Sequence, residues 1–143
     1  MRVLLLVLVC LVTTGAAAEL NISQAVVRLL PPGVPNTSAY FKIENTGKTD
    51  RIIVAAQSDV AGKVELHAHM MHNDMMRMMQ QENVIIPAGE TVMFEPGGLH
   101  LMLFDLKQPL KLDQDVKLTL SLQDGETLSF SAKVNKPESH SHH

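Results

Sequence analysis

The chain of 143 residues has one cysteine, no tryptophan and one tyrosine, and only 3% of it is aromatic. No apolar run reaches the roughly 18 residues that mark a membrane-spanning helix. Charge of one sign is missing too. Twelve basic and 15 acidic residues leave a formal net charge of −3. That balance argues against a nucleic-acid binder, which carries a basic patch or stripe. What remains is a chain of single-domain length, 45% hydrophobic, able to bury a core. Against one cysteine stand nine methionines and seven histidines.

Even that cysteine sits in a segment expected to leave. Met1-Arg2 is a short positive start, and Val3–Val12 (VLLLVLVCLV) is an apolar run of h-region length. Thr13–Ala18 (TTGAAA) adds small residues, with Ala16 and Ala18 in A-x-A positions. Residues 1–18 therefore read as a secretory signal peptide, and an exported protein is expected. Val9 before Cys10, where a small residue is required, argues against lipidation. Cleavage after Ala18 leaves 143 − 18 = 125 residues, with 12 − 1 = 11 basic and 15 acidic side chains, net −4. The mature chain has no cysteine. It cannot use a disulfide, a thiolate nucleophile or a thiolate redox centre. A Cys-ligated blue-copper centre is excluded on the same ground.

The mature chain reads as all-β. Short strand-like runs alternate with turn residues, which points to a sandwich or barrel. The expected strands are Leu20–Leu30, Ser38–Glu44, Arg51–Gln57, Val64–His72, Met75–Gln81, Val84–Ile86, Thr91–Glu95, Leu99–Leu106, Asp115–Leu122 and Thr127–Val134. Asn73-Asp74 and Asp124-Gly125 read as hairpin turns, and Asp59–Gly62 as a loop. One domain spans residues 19–134. Residues 135–143 (NKPESHSHH) lack core-forming side chains and are expected to be a mobile His-rich tail.

All eight mature methionines and every histidine outside the tail fall between His67 and Met102. Residues two apart on a strand share a face. His67 and His69 therefore pair on one face, as do Met76 and Met78, and His100 and Met102. Thioethers are soft donors that favour Cu(I), and imidazole also suits copper. Neither forms disulfides, so such a site survives oxidising surroundings. Zinc is disfavoured, since its usual ligands are Cys, His and carboxylate. Methionine is also a core filler. Alternation assigns Met75, Met79 and Met93 to packing, and His72 to solvent near the turn. The site is expected to be exposed, so that bound metal can leave.

The spacing His67, ten residues, Met78, twenty-one residues, His100-Leu101-Met102 resembles the H-x10-M-x21-H-x-M pattern of the PCu(A)C periplasmic copper chaperones. Val64-Glu65-Leu66-His67, Met76-Arg77-Met78, Ile86-Pro87-Ala88-Gly89 and Pro96–Leu103 resemble that family's blocks, as do Pro31-Pro32-Gly33, Ala39-Tyr40 and Asn45-Thr46-Gly47. Val26 departs from the pattern, where tryptophan is expected. The resemblance implies a single-domain, cupredoxin-like Greek-key β-sandwich. It implies a Cu(I) site of His67, Met78, His100 and Met102, and delivery of copper towards cytochrome c oxidase assembly. The implied partner is the oxidase copper-site subunit or another copper assembly protein.

His69 is a secondary candidate ligand. His140, His142 and His143 form a separate cluster that would suit Cu(II). No Ser/His/Asp arrangement, paired-carboxylate motif or phosphate loop stands out, so the expected class is not an enzyme. The expected state is a monomer with no membrane span. The rival reading is a periplasmic copper buffer or resistance protein using the same ligands.

Overall fold

The computed structural model describes residues 19–137. Residues 1–18 and the tail histidines His140, His142 and His143 lie outside the described residues. Ten strands make up the described fold, and no helix occurs among the described residues. They are β1 (Leu20–Arg28), β2 (Thr37–Asn45), β3 (Arg51–Ser58), β4 (Ala61–His72) and β5 (Met75–Gln80). β6 (Val84–Ile86), β7 (Thr91–Phe94), β8 (Leu99–Leu106), β9 (Asp115–Leu122) and β10 (Thr127–Asn135) follow.

Alternation builds the core. In β2, Thr37, Ala39, Phe41, Ile43 and Asn45 are buried, while Ser38, Tyr40, Lys42 and Glu44 face outward. In β9, Val116, Leu118, Leu120 and Leu122 are buried in the same way. Phe41 stacks on Phe94 with ring centroids 4.3 Å apart, and Phe130 tilts against Phe41 at 5.0 Å. Each fully buried Leu, Ile or Phe contributes roughly 1.5–3 kcal/mol. With so few aromatics, aliphatic side chains supply the rest, β9 giving four and β1, β4, β6, β8 and β10 two or three each.

The strand order is β5-β4-β8-β7-β2-β1-β10-β9-β3-β6. β8 also pairs with β2, and β4 with β3 through Ala56 and Val64. The β3–β4 contact brings the two ends of the sheet together, so it closes on the core. The pairings are antiparallel except β1 with β10 and β7 with β8. This is the all-β, cupredoxin-like sandwich that the sequence implied.

Several boundaries move. β4 starts at Ala61, inside the expected loop Asp59–Gly62, because Ala61 pairs with Leu106 and Gly62 lies close against Asp105. β10 runs to Asn135, which pairs with Arg28. Met75, Met79 and Met93 do not pack in the core: all three are exposed. β5 is the outermost strand beside β4, and its end of the hairpin extends beyond the sheet that covers the core. Alternation therefore gives it two exposed faces rather than one buried one.

Candidate metal centre

Register places the candidate ligands. Asn73 and Asp74 connect β4 to β5 with φ of 51° and 63°. Positive φ at both positions is the requirement of a two-residue type I′ hairpin turn, whose twist matches paired strands. The turn sets His72 opposite Met75, Met71 opposite Met76, His69 opposite Met78 and His67 opposite Gln80. On its other edge, β4 pairs with β8, which sets His67 opposite His100 and Glu65 opposite Met102. Directly opposed residues share a face. Glu65, His67, His69, Met71, Met76, Met78, His100 and Met102 therefore lie on one outer face of the β5-β4-β8 sheet.

His67 and His100 are the most enclosed of these, 7% and 2% exposed. Their ring centroids are 5.8 Å apart, and His69 lies 5.2 Å from His100. Met78 reaches across from β5, and its sulfur stands 3.2 Å from His100 Nε2. The sequence predicts an exposed site, and the structure corrects that: the centre is only partly open. Two imidazoles are covered, and Met78, 45% exposed, forms the open lip.

The polar contacts define which nitrogens are available. The Glu65 carboxylate accepts a 2.7 Å hydrogen bond from His67 Nε2–H, leaving Nδ1 as the lone-pair nitrogen. That Nδ1 is buried with no partner, and so is His69 Nδ1. His100 Nδ1–H donates to the Gly98 carbonyl at 3.2 Å, which directs the Nε2 lone pair toward Met78. Burial pushes the His100 imidazole below its ordinary pKa, and the His69 and His67 charges add to that, against the raising effect of the Gly98 carbonyl. The hydrogen bond from His67, more than the nearby Lys63, holds the Glu65 carboxyl below its ordinary range. Buried lone pairs without donors are costly unless something binds them.

No group of three or more His, Cys, Asp or Glu among the described residues is arranged to hold a metal ion. A centre here has to be completed by thioether sulfur. The residues fit a soft monovalent ion, since neutral imidazole and uncharged thioether add no charge to it. Of the four expected ligands, the structure brings His67, Met78 and His100 together. Met102 shares their face one alternation along β8, where its sulfur accepts a 3.5 Å hydrogen bond from the Ser38 hydroxyl. Turning that sulfur toward His100 means exchanging this bond. His69 stands nearer to His100 than a peripheral ligand would. His72 is exposed, as expected.

Sequence reasoning missed the supporting groups. Glu65 orients His67, the Gly98 carbonyl sets the His100 tautomer, and Ser38 holds Met102. Glu65 had a signal, because it precedes His67 by two and shares its face. Ser38 and Gly98 had none, since their roles depend on which strands neighbour β8.

The LpqE-like family profile matches residues 20–134. The protein named “Putative lipoprotein Lxx21020” from Leifsonia xyli subsp. xyli is 35% identical over 124 residues, 85% of this chain and 74% of that one. The solution structure of apo-DR1885 from Deinococcus radiodurans is 31% identical, with a TM-score of 0.66 over 86% of this chain and 83% of that one. Its Cu(I) form is 34% identical, with a TM-score of 0.61 over 78% and 75%. The apo PCuAC domain from PmoF1 shares the fold at 23% identity, with a TM-score of 0.70 over 83% and 95%.

Proposed function

This chain belongs to the LpqE-like family, a PCuAC-type family, and on that premise we propose that it is a copper chaperone. It takes up Cu(I) as cargo through His67, Met78, His100 and Met102 and surrenders it to a recipient. The single observation that carries this reading is the 3.2 Å approach of the Met78 sulfur to the neutral, buried His100 Nε2, beside the unpartnered His67 Nδ1. DR1885, 34% identical, is a relative solved with Cu(I). The role proposed here is carriage without turnover.

Each residue of this chain has a task. His67 and His100 offer nitrogen lone pairs, and burial holds the His100 imidazole below its ordinary pKa. Met78 and Met102 offer sulfur, which binds softly and exchanges readily with other soft donors. Glu65 holds the His67 ring by its Nε2–H, an outer partner of the kind that fixes imidazole orientation at metal sites. Met78 at the lip is the donor that a recipient reaches first.

The proposed location is the periplasm, with residues 1–18 as the signal peptide. Matches named for lipoproteins support an exported or envelope protein. The proposed recipient is the copper-site subunit of cytochrome c oxidase or another copper assembly protein. His140, His142 and His143 are proposed to hold Cu(II) separately, and the domain to act as a monomer. No helix among the described residues is long and apolar enough to cross a membrane.

Anaerobic mixing of the Cu(I)-loaded protein with an apo oxidase copper domain tests the reading. Copper should move to the oxidase domain, as seen after separating the two proteins. Copper that stays put contradicts delivery and favours the buffer or resistance role.

A further inference from the structure

Five of the six methionines on the β4–β5 hairpin are not part of the centre just described, and none of the five is core. Met71 and Met76 are 64% and 56% exposed. Exposed apolar side chains on a hairpin at the edge of a sheet add no packing and leave an adhesive edge, which proteins ordinarily blunt with charge or proline. Their placement therefore needs a reason other than stability.

The register supplies one. Met71 and Met76 are directly opposite each other, and they are the one directly opposed methionine pair on the hairpin. On the other face, Met70 faces Arg77, Met79 faces Ala68 and Met75 faces His72. Directly opposed Cβ atoms are about 4.5–5.5 Å apart, within reach of a shared ion for two long flexible side chains. Met71 and Met76 also point to the same side as His69, Met78, His67 and His100. Successive pairs on one face are about 7 Å apart along the strands. From the turn inward the order is Met71/Met76, then His69/Met78, then His67 beside His100.

We propose that Met71 and Met76 form a second Cu(I) site, bound by two thioethers, which loads the inner His/Met centre through His69 and Met78. The inference rests on the copper reading above and adds an entry site to it. The outer pair has two donors and no nitrogen, so it binds more weakly than the inner centre. Donors increase in number and in nitrogen content toward the core. Transfer is ligand exchange: copper stays Cu(I), one thioether leaves as the next donor binds, and no electron or proton is needed. The buried and unpartnered His69 Nδ1 is the nitrogen that accepts the ion midway.

The test uses the full chain with isotope-labelled methionine methyl groups, titrated anaerobically with Cu(I) against bicinchoninate as competitor. The first equivalent should shift the Met78 and Met102 methyl resonances, and the second those of Met71 and Met76. The double variant M71L/M76L preserves side-chain volume at exposed positions. It should retain the tight equivalent with unchanged affinity and take Cu(I) from the chelator several-fold more slowly. A second equivalent that leaves Met71 and Met76 unmoved overturns the outer site. An unchanged loading rate in M71L/M76L overturns its role in entry. Failure of the inner reading is separate: the first equivalent would then leave Met78 and Met102 unmoved, whatever Met71 and Met76 do.

Discussion

The sulfur of Met78 lies 3.2 Å from His100 Nε2, although β4 runs between their two strands. The contact spans β4 on the face that also carries His67 and His69. It joins an exposed soft donor to a buried nitrogen donor, which is the arrangement a carrier that must both hold and release Cu(I) requires.

Replacing Met78 with leucine removes the sulfur while keeping the volume, at a position 45% exposed. The fold should survive, as read by circular dichroism. Cu(I) affinity should fall by at least about 100-fold, the upper end of what losing an outer-sphere partner costs. His100→Ala should reduce affinity as strongly but also destabilise the apo protein, because it empties a buried position. A competition titration of both variants checks this.

Glu65 holds His67 by a 2.7 Å hydrogen bond without belonging to the proposed ligand set. Glu65→Gln should lower Cu(I) affinity about 10-fold or more, in the range seen for residues that orient metal-binding histidines. Thermal stability should change little. A competition titration showing wild-type affinity would remove Glu65 from the centre.

Acid should loosen the apo protein before it reaches carboxylate pKa values. His100 is buried, and its folded pKa lies below the ordinary value of about 6.5. Below that ordinary value the unfolded chain takes up a proton that the folded one resists. Stability is therefore complete above about pH 6.5 and is lost as pH falls through the depressed folded pKa. The depressed Glu65 value adds a second loss at lower pH, as the folded carboxylate is forced to protonate. Urea midpoints at pH 7.5 and 5.5 should show a decrease, and a constant midpoint would contradict the assignment of a neutral buried His100.

The hairpin turn should control metal binding at a distance. Asn73 and Asp74 both have positive φ, which costs an ordinary residue roughly 1–2 kcal/mol per position. Asn73→Val with Asp74→Val should disturb the register that sets His69 opposite Met78. Cu(I) affinity should drop with the core intact. Asn73→Gly with Asp74→Gly, which accepts the same turn, should leave it near wild type. Competition titrations on the two double variants measure the difference.

Much of this was legible from sequence because the chain is built of strands with strict alternation. The Ser38–Glu44 and Asp115–Leu122 elements are readable from period two alone, and the Asn73-Asp74 turn from its residue types. The methionines misled for the same reason. Alternation indicates which side chains share a face, but not whether that face is covered. Met75, Met79 and Met93 were assigned to packing because a β-strand ordinarily buries one side. The hairpin carrying Met75 and Met79 instead runs past the core, and Met93 lies on the outward side of β7 opposite Lys42. The order of strands around β8 was not readable either. It decides that Ser38 meets Met102, and that His69 stands beside His100. Such contacts arise from long-range pairing, for which a single sequence has no local signal.

X-ray absorption at the copper edge of the protein loaded with one equivalent of Cu(I) tests the central claim most directly. His67, His100, Met78 and Met102 predict a mixed shell of nitrogen and sulfur scatterers, with imidazole outer-shell features and no thiolate. A shell of sulfur alone, or of nitrogen and oxygen alone, would contradict the His/Met centre.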